Sequence, residues 1–139
     1  MGLVYANITL INEVDITLAK RNIIGEDEIK TITLSMLVDS GAYMMAINET
    51  IQGQLSFPFI EKRKAILADG SVREYDVVGP IRVRFENRTA TCSAMVLHGD
   101  SEPLLGAIPM EEMDVLIHPR RQELIVNPEH PYYAQLSLK

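Results

Sequence analysis

"LSMLVDSGAYMM", residues 34–45, decides how the rest of the chain is read. Its first half belongs to "KTITLSMLVD", where Ile32, Leu34, Met36 and Val38 fall on one face of a strand at period two. The apolar run then stops at Asp39, Ser40 and Gly41. Asp, Ser and Gly are the commonest turn formers, and an Asp that hydrogen-bonds its own turn is the ordinary end of a strand. The other reading is a half-buried carboxylate placed to react. What the rest of the chain sets around it decides between them.

The surroundings are mostly strand. "VYANITL" (4–10) and "VDITLAK" (14–20) both alternate at period two, so residues 3–20 read as strands that precede the decisive stretch. "RKAILADGSVREYDV" (63–77) is two short strands around Asp69-Gly70, a favoured two-residue hairpin turn because both positions tolerate positive φ. In "PIRVRFENRTATCSAMVL" (80–97), Ile81, Val83 and Phe85 alternate with Arg82, Arg84 and Glu86, Asn87-Arg88 sits where a turn should fall, and "TATCSAMVL" runs back. Helix is scarce. "AINETIQGQL" gives two turns with Asn48 as N-cap, and "PMEEMDVLI" places Pro109 in a first turn followed by Glu111, Glu112 and Asp114, where the helix dipole favours acids on a solvated face. "RRQELIVNPEHP" offers one more short strand before its prolines. Turns about every 8 to 15 residues indicate a barrel or sandwich. The expectation is one mainly β domain over 1–139 with one or two short helices.

Composition narrows the function. A formal net charge of −6 argues against a non-specific nucleic-acid binder, which needs a basic face. No run approaches the roughly 18 apolar residues of a membrane span. The start, "MGLVYANITL", lacks a basic segment before an apolar block and has Ala6 where a myristoylation signal wants Ser or Thr, so a cytoplasmic protein is expected. Cys92 is the single cysteine, which rules out an intrachain disulfide, and its alternation with Ala90 and Ala94 reads as a small core residue. His98, His118 and His130 show no metal-ligand spacing, so no metal site is expected. The sequons at Asn7, Asn48 and Asn87 read as strand and turn residues. "HGDSEP" has a Ser and a His but no nucleophile elbow.

Three stretches remain: "LVDSGA", the hairpin tip "LADGS" (67–71), and "PLLGAIPMEEMDVL" with Gly106 before a short helix. Together, over residues 32–126, they resemble the retropepsin-like aspartic proteases, the retroviral proteases and their cellular and bacterial relatives. The family pattern is two apolar residues, Asp, Thr or Ser, Gly and Ala on a loop, then a flap hairpin, then two apolar residues and Gly leading into a helix. Leu37 to Ala42 match the first element at every position, and Leu104-Leu105-Gly106 match the third. The flap match is softer, because family flaps are often richer in glycine.

The resemblance implies a small closed β-barrel of the acid-protease type and an endopeptidase that needs no cofactor or metal. Its chemistry takes two carboxylates sharing one proton around a water. Only one Asp-Ser-Gly is present, so a homodimer is implied, with one Asp39 from each subunit across a twofold axis. Asp39 is then catalytic, and Ser40, Gly41 and Gly106 support its loop. Ala42 borders the cleft, and Ala68, Asp69 and Gly70 form the flap tip over a peptide or protein substrate. The competing reading is a dimeric β module of the same fold that binds peptides or a partner without cutting.

Overall fold

The computed structural model describes residues 2–138. In chain order the elements are β1 (Tyr5–Asn12), α1 (Glu13–Lys20), a 3-10 turn (Glu26–Glu28), β2 (Thr31–Val38), β3 (Met45–Asn48), α2 (Glu49–Leu55), β4 (Phe59–Ile66), β5 (Val72–Phe85), β6 (Arg88–Leu97), β7 (Leu104–Leu105), α3 (Ala107–Met113), β8 (Val115–His118) and β9 (Glu123–Val126). The protein is mainly β, as its period-two patterns imply. Seven strands form one sheet in the order β1-β2-β7-β3-β6-β5-β4, and an added β1–β5 pairing closes six of them into a ring with β4 outside it.

Closure follows from alternation. Along β1, Ala6, Ile8, Leu10 and Asn12 are buried while Tyr5 and Asn7 are exposed, and the strand pairs antiparallel with β2 (Ile8 opposite Leu34) and with β5 (Leu10 opposite Val83). The N-terminal strand thus completes the ring. Ile8, Leu10, Met36, Met45, Ile47, Ile81, Val83 and Leu105 are fully buried at its centre. Each such side chain contributes about 1.5–3 kcal/mol by leaving water.

Several local expectations need correction. Residues 14–20 are helical, not a strand. Asn12 caps α1, accepting from the Asp15 amide at 3.2 Å, and Glu13 and Asp15 lie in the first turn. Those caps and acids outweigh the strand-like period of Val14, Ile16 and Leu18. Asp15 is then pinned by Lys30, whose Nζ lies 2.9 Å away. Burial raises the Asp15 pKa, but the Lys30 ammonium and amide bonds outweigh it and hold the carboxyl below its ordinary value. Glu13 takes a two-point bond from Arg82 at 2.7 and 2.9 Å, tying α1 to β5. Among the described residues there are three α-helices in place of one or two.

"REYDV" and "PIRVRF" are parts of one 14-residue strand, β5, whose register against β6 shifts between Val78 and Ile81 around the cis Gly79-Pro80 bond. The β5–β6 turn is Glu86-Asn87, one residue earlier than expected, with Glu86 at φ 51° and Phe85 paired with Arg88. The β4–β5 turn holds three residues, not two. The Leu67 amide donates to Ser71 O at 2.8 Å across Ala68, Asp69 and Gly70, and Gly70 takes φ 84°. α2 begins where expected, with Asn48 accepting from the Ile51 amide at 2.9 Å. α3 carries Pro109 in its first turn.

"EEMD" is only partly a solvated face. Glu111 and Glu112 are exposed, but Met113 is buried, and Asp114 organises the C-terminal segment. Its carboxylate accepts from Asn127 Nδ2 at 3.1 Å, the Gln135 amide at 3.0 Å and His130 Nδ1 at 2.7 Å. Beneath it lies Arg88, 2% exposed, donating to the Met113 and His130 carbonyls. This network ties Asn127, His130 and Gln135 to Asp114 and Arg88 at the end of α3, and residues 127–138 form no strand among the described residues.

Candidate active site

β2 carries Met36 and Val38 inward and ends at Asp39, which is half-buried. The loop that follows is fixed from behind by β7. The Asp39 amide donates to Leu105 O at 3.0 Å, and the Ala42 amide returns to Asp39 O at 3.1 Å. Ala107 and Ile108, at the start of α3, donate to the carbonyls of Ala42 and Tyr43 at 2.8 and 3.1 Å. Two parallel pairings, Leu37 with Leu104 and Val38 with Leu105, complete the clamp.

Gly106 makes this contact possible. A Cβ built on it would sit 2.4 Å from Met44 O, 2.7 Å from Met44 C and 2.8 Å from Ala42 O, all backbone atoms. Only a residue without a side chain lets α3 come this close to the Asp39 loop. Gly41 serves a second need: its amide donates to Asp39 Oδ1 at 3.0 Å, and a Cβ there would lie 3.2 Å from the same oxygen. The carboxylate is therefore aimed by its own loop.

Ser40 is exposed beside it, bordering a hollow shared with Ala107, Met110 and Ile117. On the other side, Asp39 opens onto a hollow lined by Leu3, Val38, Ile117 and Gln122. A cleft of about 490 Å³ begins at Gly41 and Ala42 and runs between the Asp39 loop and the β4–β5 hairpin. Asp39 stands at its edge and does not line it. Ala42 lines the cleft.

Ala68, Asp69 and Gly70 form the exposed hairpin tip, while residues 63–67 and Tyr75 make the cleft wall. Asp69 Oδ1 accepts from Ser71 Oγ at 2.6 Å and Ser71 N at 2.8 Å. The Ser71 hydroxyl bond, then its amide bond, holds the Asp69 carboxyl below the usual range.

The sequence reading missed the cleft's own surface: Tyr75, Leu97 and Leu104, with Arg63 at the mouth. The signal available was the alternation of "EKRKAIL" against "VREYDV", which places Arg63 opposite Tyr75. Cys92 packs partly buried on β6; burial, and then the nearby Glu112 carboxylate, push its thiol up to about 12. No three His, Cys, Asp or Glu side chains cluster as metal ligands among the described residues. None of the helices described is long and apolar enough to cross a membrane. No family model matches the chain, and no curated protein matches it.

Proposed function

We propose that this protein is an aspartic endopeptidase of the retropepsin-like type, acting as a homodimer with one Asp39 from each subunit. The observation that carries the reading is the Asp39 loop. A carboxylate at a strand end, aimed by the Gly41 amide and clamped by Leu105, Gly106 and Ala107, lies beside a cleft roofed by a hairpin. A solvated turn needs no such clamp. The six-stranded ring agrees with a small closed barrel of the acid-protease kind.

Two copies of Asp39 brought within about 3 Å cannot both ionise, so the pair holds one proton and titrates in two separated steps. The ionised carboxylate takes a proton from the water between them as its oxygen attacks the scissile carbonyl carbon. The protonated partner donates to the carbonyl oxygen. Collapse of the resulting diol passes a proton to the amine, which leaves, and restores the shared proton. The chain beside Asp39 is open, with Leu3 71% exposed and Ser40 exposed next to the carboxylate, and in the dimer Ser40 would bond across the axis. The β4–β5 hairpin would close over an extended peptide and exclude water.

Incubation of unfolded protein with the wild type and with Asp39→Asn, from about pH 4 to 7, tests the reading. Cleavage by the wild type alone supports it. A folded dimer that binds peptides and cuts none at any pH points to a binding module.

A further inference from the structure

The charged side chains along the cleft are cationic, and one of them, Arg63, is paired with Glu61 beside it. The charged lining residues are Arg63 and Lys64, with no acid among them, although the chain holds 19 Asp and Glu against 13 Lys and Arg. Strand register separates the two cations. Arg63 lies opposite buried Tyr75, and Ala65 opposite Arg73, so these four share the hairpin's inner face. Lys62 and Lys64 alternate to the outer face, where Lys62 pairs with Asp76 at 3.0 Å. Arg63 also spans the mouth. Its Nη1 lies 3.8 Å from Met44 Sδ on the cleft floor, and its Nε bonds Glu61 Oε2 at 2.6 Å. Nη2 has no partner among the described residues.

Below Arg63 the floor is apolar and adaptable. Met44, Met95, Leu97 and Leu104 are all half-buried along it, and unbranched thioethers repack around varied side chains. An apolar hollow with a few placed polar groups is the usual layout of a selective pocket. Neighbouring side chains of an extended peptide point to opposite faces. One entering the floor therefore sends the next up towards the hairpin and Arg63.

Resting on the peptidase reading, we propose that this cleft selects peptides in which a bulky apolar residue adjoins an acidic one, and that Arg63 reads the acid. A guanidinium presents five donors, so it can donate to a substrate carboxylate while keeping its bond to Glu61.

The test uses full-length Asp39→Asn protein and fluorescently labelled extended peptides that differ only in the residue beside a leucine: Glu, Gln or Lys. Wild-type cleavage of the same peptides is followed in parallel. The Glu peptide should bind about 3- to 10-fold tighter than the Gln peptide, with the Lys peptide weakest and the preference shrinking as salt rises. Arg63→Gln should erase the preference, Arg63→Glu should turn it towards Lys, and Lys62→Gln, outside the cleft lining and paired with Asp76, should leave it unchanged. Equal binding of the Glu and Gln peptides, or a preference that survives Arg63→Gln, overturns the inference. Cleavage that depends on Asp39 but ignores the neighbouring charge overturns it too, and leaves the peptidase reading standing. Neither binding nor cleavage of any peptide overturns both.

Discussion

Replacing Gly106 with alanine should be among the most damaging single-methyl additions in this protein. The backbone at Gly106, φ −91° and ψ −175°, is one that alanine adopts freely, so the cost is purely steric. The new Cβ would lie 2.4 Å from Met44 O and 2.8 Å from Ala42 O, where backbone has little room to yield. Relief requires α3 to retreat, which stretches the Ala107–Ala42 and Ile108–Tyr43 hydrogen bonds of 2.8 and 3.1 Å. Overpacking of this kind costs about 1–3 kcal/mol, and two weakened hydrogen bonds add about 1 kcal/mol each. The sum is about 3–5 kcal/mol, against a typical total stability of about 5–15 kcal/mol. At roughly 3 °C per kcal/mol for a domain this size, Tm should fall by about 10–15 °C. Gly53 is the control: a Cβ there meets nothing within 4 Å, and it sits inside α2. Gly53→Ala should therefore stabilise by about 0.5–1 kcal/mol. Urea titration and thermal melts of both variants read this out. A Gly106→Ala protein within about 0.5 kcal/mol of wild type refutes the clamp between α3 and the Asp39 loop.

Three further outcomes concern the buried polar groups. Arg88→Met should cost about 3–5 kcal/mol and expose residues 127–138 to limited proteolysis, because it strips the Met113 and His130 carbonyls of a buried donor and leaves Asp114 without its cation. The Asp114 carboxyl is lowered from 3.8 to about 2, chiefly by the Gln135 amide, with Asn127 and His130 adding to it against the opposing effect of burial. A depressed folded value means stability that is fully present above the unfolded value and lost as pH falls through the folded one. Acid unfolding should thus lose about 2 kcal/mol between roughly pH 4 and 2, a slope that Asp114→Asn flattens. Cys92, with its thiol raised to about 12, should react with a disulfide reagent at mildly alkaline pH at least about 100-fold more slowly in folded than in urea-unfolded protein.

Much of the fold was legible because burial on one face writes itself as period two. Ile32, Leu34, Met36 and Val38 declared β2, and Ile81, Val83 and Phe85 declared the second half of β5. Asn48 announced α2 because a cap is local chemistry. α1 was misread although Asn12, Glu13 and Asp15 were in view, since the period of Val14, Ile16 and Leu18 competes with them at equal strength. Arg88 reads as a turn residue by polarity, yet its position opposite Phe85 buries it, and only the tertiary partners at Met113, Asp114 and His130 make that tolerable. The closure of β1 on β5 pairs residues about 70 apart in sequence, which no local pattern encodes. Within the candidate site, the Asp39 loop and Gly106 were singled out by their match to a family pattern, and the structure brings the two together. The cleft surface could not be read, because Tyr75, Leu97 and Leu104 meet only through the register of strands far apart in the chain.

The most direct test of the central claim is sedimentation equilibrium of wild type and Asp39→Asn, with cleavage of a peptide library by the same samples from about pH 4 to 7. The account predicts dimers for both proteins, with cleavage that is present in the wild type and absent in the mutant. A wild type that stays monomeric at high concentration would contradict it, because a single Asp39 cannot form the pair the chemistry requires.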